Sequence, residues 1–227
     1  IIAAMPEELV YLIQHLDEAS EEKVLGNSYH TGKIGSIELV LVESGIGKVM
    51  SAMSVAILAD HFQVDAVINT GSAGAVANGI AVGDVVIADK LAYHDVDVTA
   101  FGYDYGQMAK QPLYFESDKK FISLIQESLS KLNQTWHLGL IATGDSFVAG
   151  EDKIKAIKEH FPQVLAVEME GAAIAQAAYA LNLPFLVVRA MSDNANHEAS
   201  VSFDEFIVEA GRRSAQALMT LLQSIKD

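Results

Sequence analysis

The chain has 227 residues, with 15 basic side chains against 30 acidic ones, a formal net charge of −15 at pH 7, and the basic residues are scattered rather than clustered. That balance repels nucleic acid and anionic membrane surfaces, while the absence of cysteine excludes disulfides, thiolate nucleophiles and zinc-thiolate centres and suits a reducing cytoplasm. The length accommodates a single large α/β domain over residues 1–227, no linker-like stretch divides it, and no apolar run approaches the roughly eighteen residues of a membrane span.

In chain order, residues 1–5 read as a buried strand that opens in its middle, so a few residues are expected to precede Ile1. Pro6, Glu7 and Glu8 then start a helix, since proline suits the first helical position and acids suit the first turn. Residues 29–33 and 36–43 form a hairpin pattern, and Gly45-Ile-Gly-Lys48 turns the chain into a helix that reaches His61. A strand from Val64 to Asn69 meets a tight loop at Thr70-Gly-Ser-Ala-Gly74, and a strand from Asp84 to Asp89 leads into a long aromatic loop from Tyr93 to Phe115. A loop of that length is usually functional. Ser117 to Leu132 is an amphipathic helix, Trp136 to Thr143 a strand and Glu151 to His160 a helix. Val164-Leu-Ala-Val-Glu-Met-Glu-Gly171 is a strand entering a helix that ends at Ala180; Leu186-Val-Val-Arg-Ala-Met-Ser-Asp193 is another strand, and a helix from about Ser202 closes the chain. Alternating strands and helices imply a three-layer α/β/α sandwich around a central mixed, mainly parallel sheet.

Several apolar strands stop at acids. Ligands of open α/β folds sit beyond the carboxyl ends of the strands, so Glu8, Glu168, Glu170 and Asp193 are placed for chemistry. A plainer reading also holds: Glu8, Glu168 and Glu170 suit the positive first turns of the helices they precede. Other motifs fall short. Gly45-Ile-Gly-Lys48 lacks the third glycine of a dinucleotide fingerprint, and no Walker-type Gly-Lys-Ser/Thr occurs. Gly144-Asp-Ser-Phe147 resembles an esterase nucleophile block, yet Asp193 and His197 stand one residue too far apart to activate Ser146. Tyr93-His-Asp-Val-Asp97 offers imidazole and carboxylates for a metal, or a plain solvated or interface loop.

The remaining strand-end set suits a nucleoside. Breaking a purine glycosidic bond builds negative charge on the base and positive charge on the sugar, which calls for an acid near the base and carboxylates near the sugar. Asp193 can supply the first and Glu170 the second; Phe147 is either a stacking face for the base or a core phenylalanine.

Taken together, Ala3-Ala-Met-Pro-Glu-Glu8, Ser44-Gly-Ile-Gly-Lys48, Asn69-Thr-Gly-Ser-Ala-Gly74, His94 to Gln107, Gly144-Asp-Ser-Phe147, Val167-Glu-Met-Glu170 and Arg189 to Asp193 resemble the bacterial 5′-methylthioadenosine/S-adenosylhomocysteine nucleosidases, within the purine nucleoside phosphorylase-like superfamily. The resemblance implies a homodimeric, cofactor-free hydrolase that cuts adenine from 5′-thio-substituted ribose, with 5′-deoxyadenosine as a further substrate and a place in methionine salvage and autoinducer-2 precursor metabolism. By that resemblance Asp193, helped by Ser192, would protonate the five-membered-ring nitrogen of adenine. Glu8 would hold and activate water, with Ser72 and Arg189 orienting it and Ala73 and Gly74 beside them. Glu170 would bind the ribose hydroxyls, next to Glu168, with Met169 beneath the sugar. Phe147 would stack on adenine, and the Val148 backbone would read the edge of the base. Met5, Ile46, Val98, Phe101, Tyr103 and Phe203 would form the alkylthio pocket, the loop over residues 98–109 being lent partly by the other subunit. The chain departs from the family pattern at Pro6, where a third acid is usual, and at Ala109, where a proline often lines the thioalkyl pocket.

A phosphorylase would need cationic groups for a dianion close to the sugar. Here Met5-Pro-Glu-Glu8 is negative, and Asn69-Thr70 stands where phosphorylase relatives carry an arginine. Nucleosidases of AMP or futalosine would want polar or cationic groups where the apolar aromatic loop lies. A sensor that only binds nucleosides would need neither Glu8 nor Asp193, whose desolvation is costly without a reaction to serve.

Overall fold

The computed structural model describes residues 1–195 and 199–225. Strand β1 (Ile2–Ala3) ends where Met5, in an extended conformation, caps α1 (Pro6–Ile13). A meander follows, β2 (Asp17–Val24), β3 (Asn27–Ile34) and β4 (Ile37–Glu43), then α2 (Lys48–Asp60). Strands β5 (Val67–Ala75) and β6 (Val85–Tyr93) flank a short turn; after the long loop come β7 (Phe115–Glu116), α3 (Lys119–Lys131), β8 (Trp136–Thr143) and α4 (Glu151–His160). The chain finishes through β9 (Val164–Glu168), α5 (Gly171–Ala180), β10 (Phe185–Asp193) and α6 (Ala199–Ser224).

The sheet is mixed. Parallel pairs join β4 to β1, β1 to β5, β5 to β10, β6 to β8 and β8 to β9, whereas the meander, the β10–β6 pair and the β6–β7 pair are antiparallel. It also curls back on itself, because β9 pairs antiparallel with the end of β5 through Gly74↔Val167 and Ala75↔Ala166. Successive strand residues face opposite sides, and the packing follows that alternation. Val67, Val86 and Val187 pack with α2 and α5, whereas Ile68, Val85, Ile87, Leu186 and Val188 pack with α1, α3 and α6. Helices thus cover both faces, as the sequence pattern implies, and a smaller apolar cluster lies under α4 around Ile157, Phe161 and Val164.

Three readings are corrected. Thr70–Gly74 is strand rather than tight loop: its Gly and Ser residues look like a turn, but β10 and β9 supply ladder partners along it. α6 begins at Ala199, before the expected Ser202. β2 escapes sequence reading because Asp-Glu-Ala-Ser-Glu-Glu-Lys-Val has no alternation of apolar residues and is exposed along almost its whole length.

Two helices place the first strand end. α6 crosses α1 at Gly211, where an added Cβ would fall 2.7 Å from the Glu7 carbonyl oxygen and 3.0 Å from Glu8 Cα. Because those contacts are backbone, they cannot be relieved by a rotamer change. Gly211→Ala is expected to destabilise the fold, the about 1–3 kcal/mol of overpacking outweighing the ~1 kcal/mol that alanine gains inside a helix. Urea unfolding checks this; a variant more stable than wild type would mean that α1 yields freely.

Candidate active site

The carboxyl ends of β1, β5, β8, β9 and β10 converge on a cavity of about 310 Å³. Every site residue anticipated from the sequence lines it except Val98, Phe101 and Tyr103. Those three lie on the long loop, where Phe101 is 81% exposed, away from this chain's own cavity. Ala4, Ser146 and Val167 line it in addition.

Glu8 serves two purposes at once. Its Oε2 accepts from the backbone N–H of Ala4 (3.0 Å) and of Met5 (3.1 Å), capping α1 from the third helical position. Its Oε1 accepts from the Ser72 N–H and Oγ, both at 2.9 Å, on the cavity side. The capping reading of Glu8 therefore holds, and the same carboxylate also lines the cavity. Burial pushes the Glu8 carboxyl above its usual range, against the pull of Arg189 and of these donors.

Arg189 lies fully buried on β10, directly across from Gly71 of β5. Its Nη2 donates to Asn69 Oδ1 (2.6 Å), Glu168 Oε2 (2.5 Å) and Glu170 Oε2 (3.3 Å), and its Nη1 donates to the Ser72 carbonyl (3.3 Å). Only glycine fits opposite it: at Gly71 (φ +152°) a Cβ would stand 2.6 Å from Arg189 Nη1 and 2.7 Å from Glu8 Oε1.

Glu168 and Glu170, two residues apart, divide their duties. Glu168 Oε2 accepts from the N–H groups of Glu170 (3.0 Å) and Gly171 (2.7 Å), and Oε1 accepts from the Thr143 hydroxyl, so this carboxylate caps α5 and anchors Arg189. Glu170 caps nothing with its side chain; Oε1 reaches the Gly47 N–H (2.9 Å) ahead of α2. Burial chiefly, with the neighbouring Glu168 and Glu8 charges adding to it and Arg189 opposing, pushes Glu170 up to about 7.

Asp193 stands past a bulge in β10, where the register shifts between Met191 and Asp193. Its Oδ1 accepts from the Ala195 N–H (2.7 Å) and its Oδ2 from Ser192 Oγ (3.0 Å), beside Gly74. Burial raises its pKa. The residues that adjoin the two acids, Ser72 for Glu8 and Gly74 for Asp193, are two apart on β5, a rise of about 6.4–6.8 Å. Phe147 is not a core residue: it is 41% exposed at the cavity and meets Phe203 edge-on with ring centroids 5.8 Å apart.

The other motifs resolve differently. Asp95 and Asp97 are taken up by protein donors, Asp95 by Lys48 Nζ and Asp97 by Thr99. Ser146 lines the cavity, while His197 lies outside the described residues. Two supporting groups were not anticipated as site residues. Asn69 holds Arg189, and Thr143 donates to Glu168 while accepting from the Ala172 N–H at 2.8 Å. Thr143 pairs with Glu168 in the β8–β9 ladder, so the strand-end rule that found Glu168 also points to it.

Comparison with known proteins agrees with this geometry. The family model of the phosphorylase superfamily matches residues 1–224. The 5′-methylthioadenosine/S-adenosylhomocysteine nucleosidase of Listeria monocytogenes is 47% identical over 99% of this chain and 98% of its own. The chain belongs to this nucleosidase family. The S. pneumoniae nucleosidase, solved with the transition-state inhibitor MT-ImmA, superposes with a TM-score of 0.97 at 81% identity, covering 99% of this chain and 98% of that one. The Neisseria meningitidis enzyme, in complex with methylthio-immucillin-A, gives 0.97 at 41% identity over 99% and 97%. Membership joins the cavity to a set of nucleosidases and leaves its chemistry to be argued from the residues.

The raised acids fix a pH dependence. An unfolded glutamate titrates near 4.5 and Glu170 near 7, so between those values the folded state holds a proton that the unfolded state has released. The contribution of Glu170 to stability is complete below about 4.5 and is lost as pH rises through about 7. Urea unfolding over that range should show a shallower fall in Glu170→Gln than in wild type; parallel curves would place the uptake elsewhere.

Proposed function

We propose that this chain hydrolyses the N-glycosidic bond of 5′-methylthioadenosine and S-adenosylhomocysteine, and of 5′-deoxyadenosine, releasing adenine and the corresponding ribose. The observation that carries the reading is the pair of buried acids, Glu8 and Asp193, beside one strand of one cavity, each with a raised pKa. General acids and bases work best with pKa values near the operating pH, and burial moves both groups that way. The S. pneumoniae nucleosidase bound to the transition-state inhibitor MT-ImmA and the Neisseria meningitidis one in complex with methylthio-immucillin-A support the same substrate class.

In this mechanism water adds to the anomeric carbon while the bond to the base breaks. Glu8 Oε1, oriented by Ser72, takes the proton of the water, and Arg189 stands beside it. Asp193, steadied by Ser192, gives its proton to the five-membered-ring nitrogen of the departing adenine. Glu170 binds the ribose hydroxyls over Met169, and its link to Gly47 keeps it directed there. Glu168, saturated by the α5 N-terminus, Thr143 and Arg189, acts by holding Arg189. Phe147 offers its face to adenine and the Val148 backbone its hydrogen-bonding groups, with Ala73 and Gly74 leaving space for the base. Met5, Ile46 and Phe203 form the near part of the alkylthio pocket. The chemistry asks for an acid and a base, both on this chain, and for no cofactor.

Val98, Phe101 and Tyr103 fit a homodimer in which the 98–109 loop completes the cavity of the partner. The exposed apolar residues Val49, Met50 and Met53 on α2 are further surface for such a contact. Among the described residues no helix is long and apolar enough to cross a membrane, and a cytoplasmic location accords with the cysteine-free composition.

A phosphorylase reading is disfavoured because Arg189 already faces Glu168 and Glu170, and Glu8 flanks Ser72, so a dianion would meet carboxylates. Adenine release from methylthioadenosine should be equally fast with and without phosphate and should yield free methylthioribose; a phosphate requirement, with methylthioribose-1-phosphate as product, would overturn hydrolysis. Asp193→Asn and Glu8→Gln should each lower turnover by about a hundredfold or more, the scale of general acid–base catalysis. Phe147→Ala should weaken affinity more than turnover, and near-normal turnover in Asp193→Asn would remove that residue from the reaction.

A further inference from the structure

A charged cluster that lines no part of the cavity fastens its walls together. Lys48 Nζ donates to both carboxylate oxygens of Asp95 at 2.9 Å and lies 3.7 Å from Asp145 Oδ2. Backbone groups use the same acids: Lys48 N–H donates to Asp145 Oδ1 and Asp145 N–H to Asp95 Oδ2, each at 2.9 Å. Gly47 is drawn in as well. At φ +96°, with Asp145 Oδ1 standing 3.1 Å from where a Cβ would lie, it passes between Asp145 and Glu170 and donates to the latter.

Three segments meet here: the turn that carries Ile46, the loop that carries Phe147 and Val148, and the start of the long loop at Asp95. Ile46 is 56% exposed and Phe147 41%, so neither is fixed by burial. The cluster ties together the backbone beside each of them, at Gly47, Lys48 and Asp145. An isolated pair whose side chains are 23% and 29% exposed would contribute little, but backbone donors here share the same carboxylates, and charge-assisted bonds in a network reinforce one another.

We propose that Lys48 is a positioning residue which, through Asp95 and Asp145, holds the Phe147–Val148 loop in place to receive the base. The proposal rests on the nucleosidase reading for its kinetic test. Methylthioadenosine is uncharged, so a salt dependence of KM reports on the protein rather than on attraction of the substrate.

The experiment compares wild type, Lys48→Met and Lys48→Arg between about 0.05 and about 0.5 M KCl, a range over which screening shortens severalfold. Lys48→Met should raise KM about tenfold, the scale of losing one charge-assisted network, with kcat changed less than about twofold. Lys48→Arg should recover most of the loss. Salt should raise the KM of wild type and leave that of Lys48→Met flat. Deuterium exchange at the amides of residues 145–148 should be faster in Lys48→Met. Unchanged KM, a salt response shared by Lys48→Met and wild type, or unchanged exchange would overturn the proposal. Wild type that releases no adenine would overturn the nucleosidase reading instead, and the exchange comparison would still judge the role of Lys48.

Discussion

The arrangement of the site depends on one guanidinium, because Glu168 and Glu170 both bond to Arg189 in a region from which water is almost wholly excluded, and Glu8 stands close by. Carboxylates buried this deeply are costly to leave unpaired, and removing the single cation among them would leave that cost uncompensated. Arg189 is in turn held by Asn69 and by the Ser72 carbonyl, so β5, β9 and β10 must lie in register for the group to be satisfied. The closure of the sheet between β9 and β5 therefore belongs to the electrostatics of the site as much as to the fold.

One positive charge stands among three glutamates, and burial, outweighing the pull of Arg189, pushes Glu8 and Glu170 upward, with neighbouring carboxylates adding to the effect on Glu170. Burial raises Asp193 as well, against the hydrogen bonds from Ala195 and Ser192. Carboxyls whose pKa values are moved toward neutrality suit proton transfer in either direction, which cleavage of a glycosidic bond to a purine asks for. The fold produces them by placing strand ends together, without a special residue type.

How far the sequence reveals this differs by element. β8, α4, β9 and α5 are plain because apolar runs and helical periodicity are clear there, and the rule that parallel strands end at the ligand identifies Glu8, Glu168, Glu170, Arg189 and Asp193. Glu168 and Glu170, acids of one type on either side of Met169, suit the cap of α5 equally well in sequence, and only the path of the chain after Glu168 decides which one takes it. Thr70–Gly74 looks like a turn, since small residues serve turns and crowded strands alike, and what distinguishes them is Arg189 across the ladder, more than a hundred residues away in sequence. Lys48, Asp95 and Asp145 lie in three motifs that the sequence offers for other chemistry, and their contact with one another is hidden for the same reason: it exists only once distant segments are brought together. Val98, Phe101 and Tyr103 rest on the family pattern, and their distance from this chain's cavity follows if they serve another copy.

β2 carries a consequence of its own. It is the last strand beyond β3, and its outward residues include Asp17, Glu18, Glu21 and Glu22 with Lys23 as the one cation. An open strand edge invites another chain to add to the sheet, and charge along it opposes that addition. Two copies meeting edge to edge would align acid with acid, within a chain that is already strongly negative. The sheet is thereby stopped where hydrogen bonding alone would let it grow, and fibre-like extension along this edge is opposed.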